Sequence, residues 1–404
     1  MHDPSGVRVT GELMPYADGF RAELARLGYT AGSAELQLGL VAHLSRWLTD
    51  RGLHAGELTP ERVKQFFEAR RRSGYTAYWT ERSLSPLEGY LRRLGVLPEP
   101  IPSVANTPLE KLLEDYRDYL ARERGLGVSV NRYLAVARRF LSERSSGADD
   151  LGVGSLMAAD VRQFVLRECC VRGRSVSYAR NRIAALRALL RYLHVKGLTP
   201  IPLAPAAPGV ADWRGSALPR GLDEEVVARL LASCHRQHAT GLRDYAILLL
   251  LVRMGLRAGE VAALELDDVD WRQGEIVIRG KGNRHERLPL PVDVGEAMVD
   301  YLRHGRPRHE CSRLFMRAQA PRAGLGSHGV TMVVYRACDQ TGLPRVGAHR
   351  LRHTAATEML RAGAKLTEIE QVLRHRRVAT TAIYAKVDRV ALRPLAQAWP
   401  GGVA

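Results

Sequence analysis

The 404-residue chain has no apolar run long enough to cross a bilayer. Its longest, Ala246 to Val252, falls far short of the ~20 residues a spanning helix needs. The first residues, Met-His-Asp-Pro-Ser-Gly, lack the basic segment and apolar stretch of a secretory signal. Cysteine is scarce and irregular: there are five, an odd number, with Cys169 and Cys170 adjacent, so neither a disulfide framework nor a zinc module is expected. Clustered carboxylates that could build a Mg²⁺ site are also missing. These absences predict a soluble cytoplasmic protein with no membrane contact. Lysine is rare too, at six (Lys64, Lys111, Lys196, Lys281, Lys365 and Lys386) of 60 basic residues, so arginine is the default cation. Acidic residues number only 43, which leaves a net charge of +17. Codon bias toward arginine accounts for part of that excess. The rest favours a polyanionic partner, nucleic acid first.

What is present is ordinary for a protein with real cores: 46% hydrophobic and 25% charged residues. The length suggests two to four domains at roughly 100–200 residues each. Two proline-rich stretches divide the chain. Leu97 to Thr107 carries three prolines, and Thr199 to Pro219 carries Pro200, Pro202, Pro205, Pro208 and Pro219. Proline lacks a backbone donor and restricts its predecessor, so neither stretch continues a helix. The expected domains are residues 1–104, 107–198 and 219–404, with 199–218 as a linker.

The first two segments share an ordered set of features. Gly28-Tyr29, Trp47-Leu48, Val63 to Phe67 and Tyr90 to Pro98 match Gly125-Leu126, Phe140-Leu141, Val161 to Val165 and Leu190 to Leu198. The offset drifts from about 97 to 102 residues, as small loop insertions produce. Each segment reads as four or five short amphipathic helices, so the first is a candidate duplicate of the second. Any two small helical bundles also look broadly alike.

The third segment differs. Asp223 can cap a helix running to Cys234, and Leu242 to Met254 is an almost solid apolar helix that must be buried. Glu275 to Arg279 and Arg287 to Leu290 read as strands joined by the turn Gly280-Lys281-Gly282-Asn283. Helices are expected at about 293–303, 327–341, 349–362, 366–374 and 379–386. The fold class is mainly α with one small β-sheet.

Six side chains in this segment carry chemistry when taken together. Arg257 follows Gly255-Leu256 where the buried helix ends, and an arginine there can offer phosphate a fixed fork; alone it would be one exposed arginine among many. Lys281 sits between two glycines at a hairpin tip. An ammonium can surrender a proton and a guanidinium cannot, although a solvated turn lysine looks the same. His349 and Arg352 are three residues apart and share a helix face. His349 and His353 are spaced for a metal, but Arg350 and Arg352 between them would repel one. His375 ends a helix before a basic turn, and Thr380-Thr381 lead to Tyr384, which on its own would be a core tyrosine. Phosphodiester cleavage is very slow and needs the phosphate neutralised, a nucleophile and an acid. Arg257, Lys281, His349, Arg352, His375 and Tyr384 supply all three.

Residues 219–400 resemble the catalytic domain of the tyrosine recombinase (phage integrase) family. The matching boxes are Gly-Leu-Arg-x-x-Glu at 255–260, Gly-Lys-Gly at 280–282, His-x-Leu-Arg-His-Thr at 349–354, Leu-x-His at 373–375 and Thr-Thr-x-Ile-Tyr at 380–384. The resemblance implies site-specific recombination through a 3′-phosphotyrosyl intermediate on Tyr384, without ATP, metal or cofactor. Arg257 and Arg352 would clamp the phosphate, Lys281 would be the general acid, and His349 with His375 would support proton transfer. Glu260 would brace Arg257, and His353 would pack behind the site. It further implies that residues 107–198 form a helical, SAM-like core-binding domain. The implied partner is double-stranded DNA, engaged by a homo-tetramer on two duplexes and by a monomer in free solution, in a bacterial cytoplasm. Two departures stand out. Arg374 replaces the family's usual glycine, with solvent or DNA as its expected direction, and Ala385-Lys386 replace a usual histidine. Two other functions compete: type IB topoisomerase-like relaxation and a non-catalytic DNA-binding regulator.

Overall fold

The computed structural model describes residues 6–76, 80–99, 107–127, 129–144, 151–169, 176–209, 221–280 and 284–374. Lys281, His375, Tyr384 and the helix expected at 379–386 therefore lie outside the described residues. Residues 1–98 and 215–404 make one compact unit and 99–214 a second.

The first unit opens with α1 (Ala17–Arg26), α2 (Ala31–Thr49), α3 (Pro60–Arg72) and α4 (Ser85–Arg93). Thr30 and Thr59 cap α2 and α3 by accepting the backbone N–H groups of Ser33 and Arg62. Their apolar faces bury Phe20, Leu24, Leu44, Leu48, Phe67 and Leu91 in one core. Trp47 meets Phe66 edge to face across α2 and α3, with ring centroids 5.8 Å apart.

The second unit holds α5 (Pro108–Asp118), α6 (Val130–Ser142), α7 (Ala158–Cys169) and α8 (Val176–Val195) around a core of its own. Phe140 of α6 and Phe164 of α7 again meet edge to face, with centroids 5.0 Å apart.

The rest of the first unit contains α9 (Glu224–Ala232), α10 (Ala239–Arg253) and α11 (Ala258–Ala263). These are followed by β1 (Val269–Asp270), β2 (Glu275–Gly280) and β3 (Arg284–Pro289), then α12 (Val292–Asp300), α13 (Ser327–Gln340), α14 (Ala348–Arg361) and α15 (Leu366–Leu373). The solid apolar run of α10 is buried as expected and forms the centre of the core, against α12, α13 and α14. Asp223 holds the N-cap position of α9, but its side chain makes no capping bond. The Arg322 N–H donates to the Leu27 carbonyl at 2.8 Å, which joins this portion to the turn after α1.

The sheet is larger than the sequence reading. It is antiparallel and three-stranded, in the order β1-β2-β3, and β3 begins at Arg284 rather than Arg287. Arg284-His285-Glu286 carries no apolar alternation. Backbone pairing fixes these residues instead, with Arg279 opposite His285 and Gly280 opposite Arg284.

Candidate active site

The site starts where α10 stops. Gly255 turns the chain at φ +60°, Leu256 is fully buried, and Arg257 occupies the N-cap position of α11. Glu260, three residues on, points back. Its Oε2 accepts the Arg257 backbone N–H at 2.8 Å and its Oε1 accepts Arg257 Nη1 at 2.6 Å. One carboxylate thus caps α11 and fixes the direction of the guanidinium. Arg257 Nη2 also donates to the Arg374 carbonyl at 3.2 Å, and about half of the side chain stays exposed.

Arg352 approaches the same carboxylate from α14, with Nη1 4.0 Å from Glu260 Oε2. At 2% exposure it is the largest fully buried side chain among the described residues. Burial of a guanidinium is tolerated only with satisfied donors. Nη1 donates to the Gly255 carbonyl at 2.6 Å, and Nη2 donates to the Leu373 carbonyl. Both arginines therefore end on carbonyls at the C-terminal end of α15, Leu373 for Arg352 and Arg374 for Arg257. That end of a helix carries partial negative charge and unpaired carbonyls.

His349 and His353 stack along α14 in a T-shaped contact, 4.4 Å between centroids. The His349 ring reaches the surface, yet the surrounding protein, then Arg352 and Arg257, hold its pKa below the ordinary histidine value. Burial, then His349, Arg350 and Arg352, push His353 down to about 4, so its ring is neutral at physiological pH. Burial alone would raise the Glu260 carboxyl. Arg374 and Arg257 outweigh it and keep Glu260 below the usual range, hence ionised. Among the described residues no three His, Cys, Asp or Glu side chains converge as a metal-binding group.

Five of the expected residues, Arg257, Glu260, His349, Arg352 and His353, thus lie together on α11 and α14. The other three, Lys281, His375 and Tyr384, lie outside the described residues. Among the described residues, four participants were not expected from sequence: the Gly255, Leu373 and Arg374 carbonyls and the Arg374 side chain. Arg374 points neither to solvent nor outward toward a ligand. Its side chain is 5% exposed, and its Nη2 donates to Glu260 Oε2 at 2.7 Å. The available signal is chemical: a cation where the family keeps a glycine calls for a nearby acid, and Glu260 is one.

The model of the phage integrase family matches residues 220–390. A protein of Sinorhizobium fredii named integrase/recombinase y4rA is 40% identical over 97% of this chain and 95% of its own length. Tyrosine recombinase XerD of Listeria monocytogenes is 28% identical over 70% of this chain and 97% of its own. The fold is shared with XerH site-specific recombinase bound to palindromic difH substrate, at a TM-score of 0.54 and 22% identity, covering 70% of this chain and 83% of that one. It is also shared with a lambda integrase dimer bound to a COC′ core site, at a TM-score of 0.52 and 16% identity, covering 72% and 98%. The chain belongs to the phage integrase family of tyrosine recombinases, enzymes that break and rejoin DNA strands.

Proposed function

We propose that this chain is a site-specific recombinase that exchanges strands between two DNA duplexes through a 3′-phosphotyrosyl intermediate on Tyr384. The observation that carries the reading is the convergence of Arg257 and Arg352 on Glu260, beside His349. In this reading the two guanidiniums, Arg257 half exposed and Arg352 buried against the Gly255 and Leu373 carbonyls, supply positive charge to the phosphate, an interaction that strengthens as charge builds in the pentacoordinate transition state. The Tyr384 oxygen attacks phosphorus while the bond to the 5′ oxygen breaks. The phenol proton passes to a histidine, His349 or His375, and the leaving oxygen takes a proton from Lys281. A 5′ hydroxyl from the partner duplex then gives its proton to Lys281 and attacks the phosphotyrosyl linkage; the bond from phosphorus to the Tyr384 oxygen breaks, and the histidine returns its proton to the phenol. Bond energy is conserved in the protein linkage, so no ATP is consumed, and the clamp supplies the positive charge a metal would otherwise provide.

In this reading residues 107–198 are a helical DNA-binding domain, and the active form is a tetramer on two duplexes. The first bundle is a duplicate of the second. Supporting this are the edge-to-face pairs Trp47–Phe66 and Phe140–Phe164, each linking the second and third helices of its bundle.

Covalent trapping tests the proposal. The chain is mixed with DNA flanking its own gene, nicked so that the cleaved fragment diffuses away, and run on a denaturing gel beside Tyr384→Phe. An adduct with the wild type alone is expected. An adduct that survives Tyr384→Phe would show that another residue is the nucleophile.

A further inference from the structure

Arg374 is the only non-glycine residue with positive φ among the described residues, at φ 54° and ψ 51°. It closes α15 by donating its N–H to the Gln371 carbonyl at 3.0 Å. Glycine is the usual residue for such a C-terminal turn, because a side chain there meets the following carbonyl. Here the strained position holds the longest cationic side chain available and folds it inward. Nη2 reaches Glu260 Oε2 at 2.7 Å and Nη1 reaches the Val372 carbonyl at 3.0 Å. Nε is buried 4.0 Å from Glu286 Oε2, on β3. The backbone carbonyl of the same residue accepts Arg257 Nη2.

Glu260 is therefore shared by three guanidiniums, from Arg257, Arg352 and Arg374. A carboxylate paired with the clamp arginines alone would hold them well but would also repel a phosphate bound on their far side. A third guanidinium on its inner oxygen offsets that repulsion without occupying the outer face of Arg257. We propose that Arg374 is a positioning residue of the phosphate clamp: it neutralises the inward oxygen of Glu260, leaves Arg257 directed at phosphate, and ties the carboxylate to the hairpin through Glu286. The proposal rests on the reading of Arg257 and Arg352 as a phosphate clamp.

The test uses the full-length protein, inorganic phosphate as the probe, and NMR of labelled histidine rings to follow His349. In the wild type, phosphate should shift the His349 resonances saturably. Arg374→Gly, which suits the left-handed backbone, should weaken phosphate binding about tenfold, the scale of one charge pair lost in a partly desolvated site. Arg374→Asn, also tolerated at positive φ, repeats the truncation with some side-chain volume retained, so a poorly folded glycine variant does not decide the matter. The discriminating readout is the cycle with Glu260→Gln. Where residue 260 carries no charge, Arg374→Gly should cost less than about twofold, because nothing remains to neutralise. A role confined to folding would give the same loss in both backgrounds. Wild-type affinity in Arg374→Gly and Arg374→Asn, or equal losses with Glu and Gln at position 260, would overturn the inference while leaving the clamp intact. No saturable response of His349 in the wild type would overturn the clamp itself, and the inference with it.

Discussion

Gly255→Ala isolates how tightly the clamp depends on one turn. Two costs arise at this position. The residue sits at φ +60°, where a Cβ crowds the next carbonyl at about 1–2 kcal/mol. The new Cβ would also lie 2.5 Å from Leu373 Cδ2 and 3.3 Å from Ala355 Cβ. Leu373 is fully buried, so it gives way only by moving the end of α15, and overpacking of this kind costs about 1–3 kcal/mol. The sum is about 3 kcal/mol, which lowers the melting temperature of a domain this size by about 6–12 °C. Gly274→Ala is the matched control. Its φ is +63°, but its Cβ would meet nothing within 4 Å, so only the backbone cost of about 1 kcal/mol applies, or about 2–4 °C. Function should separate further than stability. The Gly255 and Leu373 carbonyls both accept from Arg352, and the substitution would displace both. A misplacement near 1 Å typically costs about 100-fold in rate. Calorimetry of the three proteins, with adduct formation on nicked DNA, reads both quantities. Equal melting shifts at the two glycines would refute the packing argument, and wild-type cleavage by Gly255→Ala would refute the link to Arg352.

Other consequences follow from the charges at the site. Glu260→Gln leaves Arg352 and Arg374 buried without their anion, at a cost of about 3 kcal/mol at pH 7. Because the native carboxyl is held below the ordinary value, its contribution is complete above about pH 4.3 and is lost as pH falls through the depressed native value. The melting gap between wild type and variant should therefore narrow in acid, and a gap independent of pH would contradict this account. His353 titrates near 4 when folded and near 6.5 when unfolded, so between those values the unfolded chain binds the extra proton and stability falls as pH falls. His353→Gln should flatten that slope by up to about 1.4 kcal/mol per pH unit, measured as melting temperature from pH 4 to 7. Lys281→Arg should retain DNA affinity and slow adduct formation about 100-fold or more, since charge persists and proton donation does not. Undiminished cleavage would place the acid elsewhere.

The parts of this molecule that were legible in the sequence are those whose cause is local. The apolar continuity of Ala246 to Leu251 dictates a buried helix, and all six residues are indeed 3% exposed or less. The glycines around Lys281 announce a hairpin turn, and β2 and β3 pair on either side of it. Where backbone pairing alone decides, as at Arg284-His285-Glu286, composition carries no sign of the strand. The family resemblance supplied Arg257, Glu260, His349, Arg352 and His353, but it could not say what holds them. Arg352 is anchored by carbonyls 97 residues before it and 21 after it, and peptide carbonyls leave no mark on a sequence. Arg374 shows the same limit from the other side. Judged by its neighbours, an arginine among Arg374-His375-Arg376-Arg377 belongs to a solvated basic turn. Its burial is decided by Glu260, 114 residues away, and by a left-handed turn that aims the side chain inward. A residue that strains its own backbone is retained only when something distant repays the strain. On the role proposed for Arg374, the departure from the family pattern at position 374 marks a clamp built differently rather than one that is damaged.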